Sequence, residues 1–138
     1  MIDVRGFHID DYEAAVALWK NVEGIEIAEG DERNDIAFFL ERNPGLSRVA
    51  FDGERMIAAV LCGHDGHRGY IYHLAVDLNV RRTGLAARLV DECLAGLRQA
   101  GLKRALILVA GDNPGGRSFW ERRGWEVVED AAAMGIDL

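Results

Sequence analysis

Apolar residues at Leu85, Ala86, Leu89, Val90, Cys93, Leu94 and Leu97 recur with a period near 3.6, which predicts a helix with one buried face. Gly101 stops that stripe. Ala105 to Ala110 follows as an unbroken apolar run, the pattern of a strand covered on both sides. Upstream, Leu46 to Phe51 and Arg55 to Gly63 are apolar runs joined around Asp52-Gly53, a strong hairpin signal. The turn-rich stretch from Gly63 to Gly69 leads into Tyr70 to Asp77, completing a three-strand antiparallel meander. Residues 2–8 read as a first strand. Asp10 with Glu13 reads as a capping box for a helix that buries Tyr12, Val16 and Trp19, and Asp35 to Arg42 reads as a second helix ended by Asn43-Pro44-Gly45. Near the C-terminus, Asn113-Pro114 supplies a cap and a first-turn proline for a helix holding Phe119 and Trp120 and ending at Gly124. Trp125 to Val128 and Met134 to Leu138 are expected as a last hairpin. The predicted order is β-α-α-β-β-β-α-β-α-β-β, an α/β chain with a mixed sheet and helices on both faces, in which strand, helix and apolar strand form a parallel crossover.

A length of 138 residues suits one domain over 1–138, and a hydrophobic fraction of 49% suffices for its core. No apolar run approaches a bilayer span, and the N-terminus has no basic region followed by an apolar stretch, so no secretory signal is expected. Cys62 and Cys93 lie in apolar patterns and read as buried free thiols, in keeping with a reducing, cytoplasmic setting. The net charge of −7 disfavours nonspecific nucleic-acid or anionic-membrane binding. His64, Asp65 and His67 have poor spacing for a preformed metal site and no cysteine pair beside them, so they read as turn residues and no metal is expected. A dinucleotide-binding chain is excluded, because no Gly-x-Gly-x-x-Gly follows a first strand.

Candidate chemistry concentrates between Val76 and Ala87. A strand ends there, a short basic turn carries Arg81 and Arg82, and a helix begins at Gly84. The first amides of a helix lack internal acceptors and lie at the positive end of its dipole. A glycine there lets a phosphate approach the backbone closely, although an ordinary basic helix start has the same composition.

The pattern Arg81-x-x-Gly84-x-Ala86 resembles the acetyl-CoA signature of the GCN5-related N-acetyltransferases (GNAT). Asn113, Trp120, Gly124 and Trp125 match that family's second block, and the element order matches over essentially the whole chain. The resemblance implies a GNAT-like fold with a splayed central strand pair, 70–77 and 104–110. It implies an acetyl-CoA-dependent N-acetyltransferase in which a primary amine attacks the thioester directly. The amides of Arg81, Arg82, Thr83, Gly84, Leu85, Ala86 and Ala87 would then cradle the CoA pyrophosphate. The backbone of Leu74, Ala75 and Val76 would pair with the pantetheine arm, with an oxyanion donor near Ala75 or Val76, and Asn113 would touch the pantetheine or order its helix. Homodimers are common in the family.

Trp120 departs from the pattern, standing where most relatives carry the tyrosine that protonates the departing thiolate. Indole donates a hydrogen bond but no proton, so Trp120 is either a modified acid position or a packing residue. For the base, the family points to the positions of Tyr70 and Tyr72. Strand alternation places Tyr70, Tyr72, Leu74 and Val76 on one face, and Ile71, His73 and Ala75 on the other. His73 titrates in a useful range but points away unless a bulge turns it. Glu23, Glu26, Glu29, Asp31, Glu32 and Asp35, opposed by Arg33, fit either an attractor for a cationic amine or a solvated face. The competing functional class is a noncatalytic acetyl-CoA-binding or regulatory module.

Overall fold

The computed structural model describes residues 1–110 and 114–138, in two compact units, Met1–Leu108 and Val109–Leu138. The first unit is built on a five-stranded sheet: β1 (Ile2–Gly6), β2 (Arg48–Asp52), β3 (Arg55–His64), β4 (Gly69–Val76) and β5 (Ala105–Ile107). They lie side by side in that order, with β1 to β4 antiparallel and β4–β5 parallel. β3 is buried from Met56 through Gly63, which accounts for its unbroken apolar run. Helices α1 (Tyr12–Lys20) and α2 (Arg33–Arg42) bring Ala15, Leu18, Trp19 and Ile36 into one cluster with Val49, Ala59, Leu61 and Ala75 of the sheet. Helix α3 (Leu85–Gln99) buries Leu85, Leu89, Val90, Cys93 and Leu97, the stripe predicted from periodicity. A Cβ on Gly69 would stand 2.6 Å from a Leu97 methyl, and one on Gly96 2.7 Å from a Leu46 methyl. A side chain at either position would have to displace a buried leucine methyl.

Capping falls elsewhere than expected at the first helix. A 3-10 turn, Ile9–Asp11, precedes α1, and the cap is made by Asp11 rather than by Asp10 with Glu13. The His8 amide donates to Asp11 Oδ2 at 2.9 Å, while the Arg5 guanidinium grips both Asp11 oxygens at 2.8 and 2.9 Å. Asp11 is buried where Asp10 is exposed, so Asp11 has the fixed partners. Helix α2 starts two residues early, because Asp35 caps the Glu32 amide from within the first turn. The turn after β3 is held by its own side chains: Asp65 Oδ1 accepts from the His67 and Arg68 amides, and His64 Nδ1 accepts from the Gly66 amide. Among the described residues no three His, Cys, Asp or Glu side chains converge as metal ligands.

The second unit contains α4 (Pro114–Arg122) and its exit. Gly124, at φ +90°, turns the chain in the left-handed region. Its amide donates to Glu121 O at 3.1 Å, and the Trp125 amide donates to Trp120 O at 3.1 Å. This is the double hydrogen bond of a Schellman end, and its usual apolar contact is made by Trp120 and Trp125, 4.9 Å apart edge to face. The hairpin expected at 125–128 and 134–138 is not formed, and residues 123–138 hold no strand. Met134 to Leu138 does alternate, but Glu129 to Ala133 offers no Gly, Pro or Asn to make a tight turn. Val127, Val128, Met134, Ile136 and Leu138 are accordingly exposed. The strand expected at 105–110 likewise shortens to Ala105–Ile107.

Burial pushes the Asp11 carboxyl up, but the Arg5 guanidinium and the His8 amide outweigh it and hold the group below its ordinary value. Asp11→Asn is therefore expected to lower stability at neutral pH by about 1–3 kcal/mol in urea unfolding, the usual cost of breaking a charged hydrogen bond. Because the folded value is the lower one, the advantage is full above an unfolded value of about 3.9 and disappears as pH falls below it. Wild type and variant should converge in that acid range. Gly124→Ala, which meets no atom within 4 Å, is expected to cost about 1–2 kcal/mol through backbone conformation alone, and Gly124→Asn less.

Candidate functional site

The site grows from the way β4 leaves its neighbour. β4 and β5 pair only at Gly69↔Ala105, Tyr70↔Leu106 and Ile71↔Ile107. β4 runs on to Val76 while β5 ends, so the strands part and open the expected gap beside residues 72–76. On its other side β4 stays attached to β3, through Ala59↔Ala75 and Ala58↔Val76. Among the described residues no strand pairs with that edge of 72–76, the arrangement to which an extended ligand adds as a further strand. Ala75 and Val76 are buried and Leu74 is half-buried.

From Val76 the chain passes through a 3-10 turn, Leu78–Val80, into the basic residues Arg81 and Arg82. Asp77 accepts from the Asn79 amide at 2.8 Å, and the Thr83 hydroxyl donates to Val80 O at 2.8 Å. Arg82 (φ +65°) and Gly84 (φ +83°) are both left-handed, which curls the backbone sharply into α3. Gly84 is the residue before the helix and has no side chain with which to cap it. The first helical bond is Arg88 N–H to Gly84 O at 3.0 Å, so the amides of Leu85, Ala86 and Ala87 have no acceptor within the helix. Arg81, Arg82 and Thr83 are exposed. Nearby Arg55 and Arg88 are engaged by Asp77 and Glu92. This end of the helix is chemically suited to an anion.

On the α1–α2 side, Tyr70 and Tyr72 stack at 6.1 Å and 16°, and Phe39 meets Tyr72 edge on at 6.1 Å. Tyr72 is 40% exposed. Burial, then the neighbouring Tyr70 and Asp65, pushes its phenol up from its ordinary value.

The alternation expected along β4 is broken. Leu61 pairs with Tyr72 and Ala59 with Ala75, so His73 and Leu74 together oppose Val60, a β-bulge. The extra residue reverses the faces beyond it. Ala75 joins the same core cluster as Leu61, the partner of Tyr72, instead of lying opposite as strict alternation requires. His73 sits at the kink with φ +53°, and its ring packs 4.9 Å from Trp19 of α1. Its Nε2 lies 3.0 Å from Asp31 Oδ1. Asp31 is the exception in the acidic run: it is buried, whereas Glu23, Glu26, Glu29, Glu32 and Asp35 are exposed. No spacing rule marks Asp31 as different, because its partner is in a distant strand.

In the second unit, Trp120 is 7% exposed and packs edge to face with Phe119 at 5.2 Å as well as with Trp125. Asn113 lies outside the described residues.

Comparison with known proteins bears on this geometry. The model of the Acetyltransferase (GNAT) family matches residues 10–125. An acetyltransferase of Pectobacterium atrosepticum is 30% identical over 128 residues, covering 93% of this chain and 90% of the relative. One from Sodalis glossinidius is 28% identical, covering 99% and 96%. Among solved structures, Ard1 from Thermoplasma volcanium superposes with a TM-score of 0.79 at 18% identity, covering 92% of this chain and 84% of that one. A predicted acetyltransferase with acetyl-CoA from Clostridium acetobutylicum gives 0.76 at 14%, covering 98% and 96%. These structural likenesses show a common fold. With the family match spanning most of its length, the chain belongs to the GNAT family of acetyltransferases.

Proposed function

We propose that this chain is an N-acetyltransferase that moves the acetyl group of acetyl-CoA directly onto a primary amine, residues 1–138 acting as one domain. The observation that carries the reading is the continuity of two features: the open edge of β4 at 72–76 leads through the 3-10 turn into the amide-rich turn at 81–87. The first suits a thioester-bearing arm that hydrogen-bonds like a strand, and the second suits its diphosphate. In this reading Leu74, Ala75 and Val76 hold the arm through their backbone, and an amide near Ala75 or Val76 stabilises the developing oxyanion. Arg81, Arg82, Thr83, Gly84, Leu85, Ala86 and Ala87 hold the pyrophosphate, and Asn113 assists. Tyr70 and Tyr72 line the acceptor side together with Phe39, and Tyr72 offers its hydroxyl as a donor. Trp120 takes the place of the family's acid as an anchored indole. A thiol of pKa near ~8.5 leaves without help from a strong acid.

A net charge of −7 and five exposed acids around α2 make a cationic acceptor the better match. Among the described residues no helix is long and apolar enough to cross a membrane. The buried free thiols Cys62 and Cys93 suit a reducing compartment, and on that ground we place the enzyme in the cytoplasm. A homodimer is in keeping with the family.

Purified protein is expected to bind acetyl-CoA in calorimetry, more weakly as salt rises. It is expected to release CoA with at least one of spermidine, kanamycin, ethanolamine or an octapeptide with a free N-terminus. The Arg81→Glu/Arg82→Glu variant should lose at least about tenfold in affinity, or about 1.4 kcal/mol. Tight binding without transfer to any amine would replace the enzyme by a binding module. Exchanging Glu26 and Glu29 for glutamine is expected to raise the acceptor KM severalfold at unchanged kcat. An unaltered KM removes the cationic preference.

A further inference from the structure

We propose that His73 accepts the proton of the attacking amine, with Asp31 as its positioning residue; this rests on the transferase reading above. The bulge puts His73 immediately before Leu74–Val76, on the stretch of β4 where β5 has parted. Its side chain is 18% exposed, so part of it is reachable from solvent, and its ring lies 4.9 Å from that of Trp19.

Asp31 decides which nitrogen is available. A carboxylate only accepts, so the bond from Nε2 to Asp31 Oδ1 puts a hydrogen on Nε2, and the neutral ring then carries its lone pair on Nδ1. Among the described residues Nδ1 makes no hydrogen bond. Asp31 is itself fixed at two further points: its Oδ2 accepts from the Ala28 amide at 3.0 Å, and its carbonyl accepts from the Tyr12 hydroxyl at 2.6 Å. A histidine serving only to make a bulge needs neither the carboxylate nor the left-handed backbone, which glycine or asparagine adopts more readily. A left-handed backbone at a non-glycine residue, held by its surroundings just beyond the last β4–β5 pair, is the kind of strain that accompanies function.

The step balances simply. The amine nitrogen bonds to the acetyl carbonyl carbon, the carbon–sulfur bond breaks, the amine proton passes to His73 Nδ1, and the thiolate regains one proton from His73 or from water.

His73→Gly and His73→Asn both tolerate φ +53°. They are compared with wild type, Asp31→Asn and the Asp31→Asn/His73→Asn pair, using calorimetry with acetyl-CoA and kcat on the fastest amine of the panel above. Both His73 variants are expected to bind acetyl-CoA within about threefold of wild type and to lose roughly 10²–10⁴ in kcat, the usual worth of a positioned base. Added imidazoles should restore H73G, faster with greater basicity; a ring that merely filled space would restore it regardless. Asp31→Asn should lose about tenfold alone and nothing further on top of His73→Asn, since Asp31 acts only through the ring. A kcat within twofold of wild type in a His73 variant that binds acetyl-CoA overturns the assignment. So does rescue indifferent to basicity. If wild type itself acetylates no amine, the transferase reading fails first and takes this assignment with it.

Discussion

One extra residue in β4 governs how the sheet of the first unit meets α1 and α2. A strand that kept strict alternation from Tyr70 to Val76 would turn His73 and Ala75 away from Tyr72. With the bulge opposite Val60, Ala75 enters the core cluster under α1 and α2, and His73 comes against Trp19 and Asp31. The left-handed backbone at His73 costs on the order of 1–3 kcal/mol. Hydrogen bonding to a charged group is worth about 1.5–3 kcal/mol, so the Asp31 contact is of the right size to offset it. The acidic loop and the kink in the strand therefore hold each other in place. β3 absorbs the irregularity because it is buried along most of its length and remains paired on both sides of the bulge.

The start of α3 follows a related logic. Serine or aspartate before the helix would satisfy one of the free amides, and glycine gives up only a few tenths of a kcal/mol relative to them. For that small cost the amides of Leu85, Ala86 and Ala87 are left without an acceptor in the helix. The helix is secured elsewhere, by a buried stripe running to Leu97 and by the fit of Gly69 and Gly96 against Leu97 and Leu46. The packing of the helix and its uncapped start thus lie in different parts of it.

Most of the fold was legible because local rules and tertiary structure agree in it. The stripe from Leu85 to Leu97, the Asp52-Gly53 hairpin and the buried run of β3 each follow from period and turn chemistry. Legibility fails where a long-range partner decides. Asp10 and Asp11 are indistinguishable in composition, and only the position of Arg5 selects Asp11. Asp31 looks like the acids around it, and His73 looks like a residue facing the wrong way, because neither the burial of the one nor the bulge at the other has a local signal. At the C-terminus the alternation of Met134 to Leu138 was a genuine pattern, but a strand also needs a partner and a turn.

Trp120 brings the proton balance into focus. Its contact with Trp125 is the apolar clasp of the Schellman end of α4, so the indole has a packing role whatever its chemistry. A phenol there would keep part of the clasp and add a proton donor; the indole keeps the clasp and omits the donor. Amide formation from a neutral amine and a thioester releases one proton at nitrogen and consumes one at sulfur. With a leaving thiol of pKa near ~8.5, the departing group needs little help at neutral pH. The nitrogen needs more, because the bond cannot be completed while its extra proton remains. On the proposed reading, an imidazole tethered to a carboxylate at the kink of β4 serves the nitrogen, where a proton must be removed.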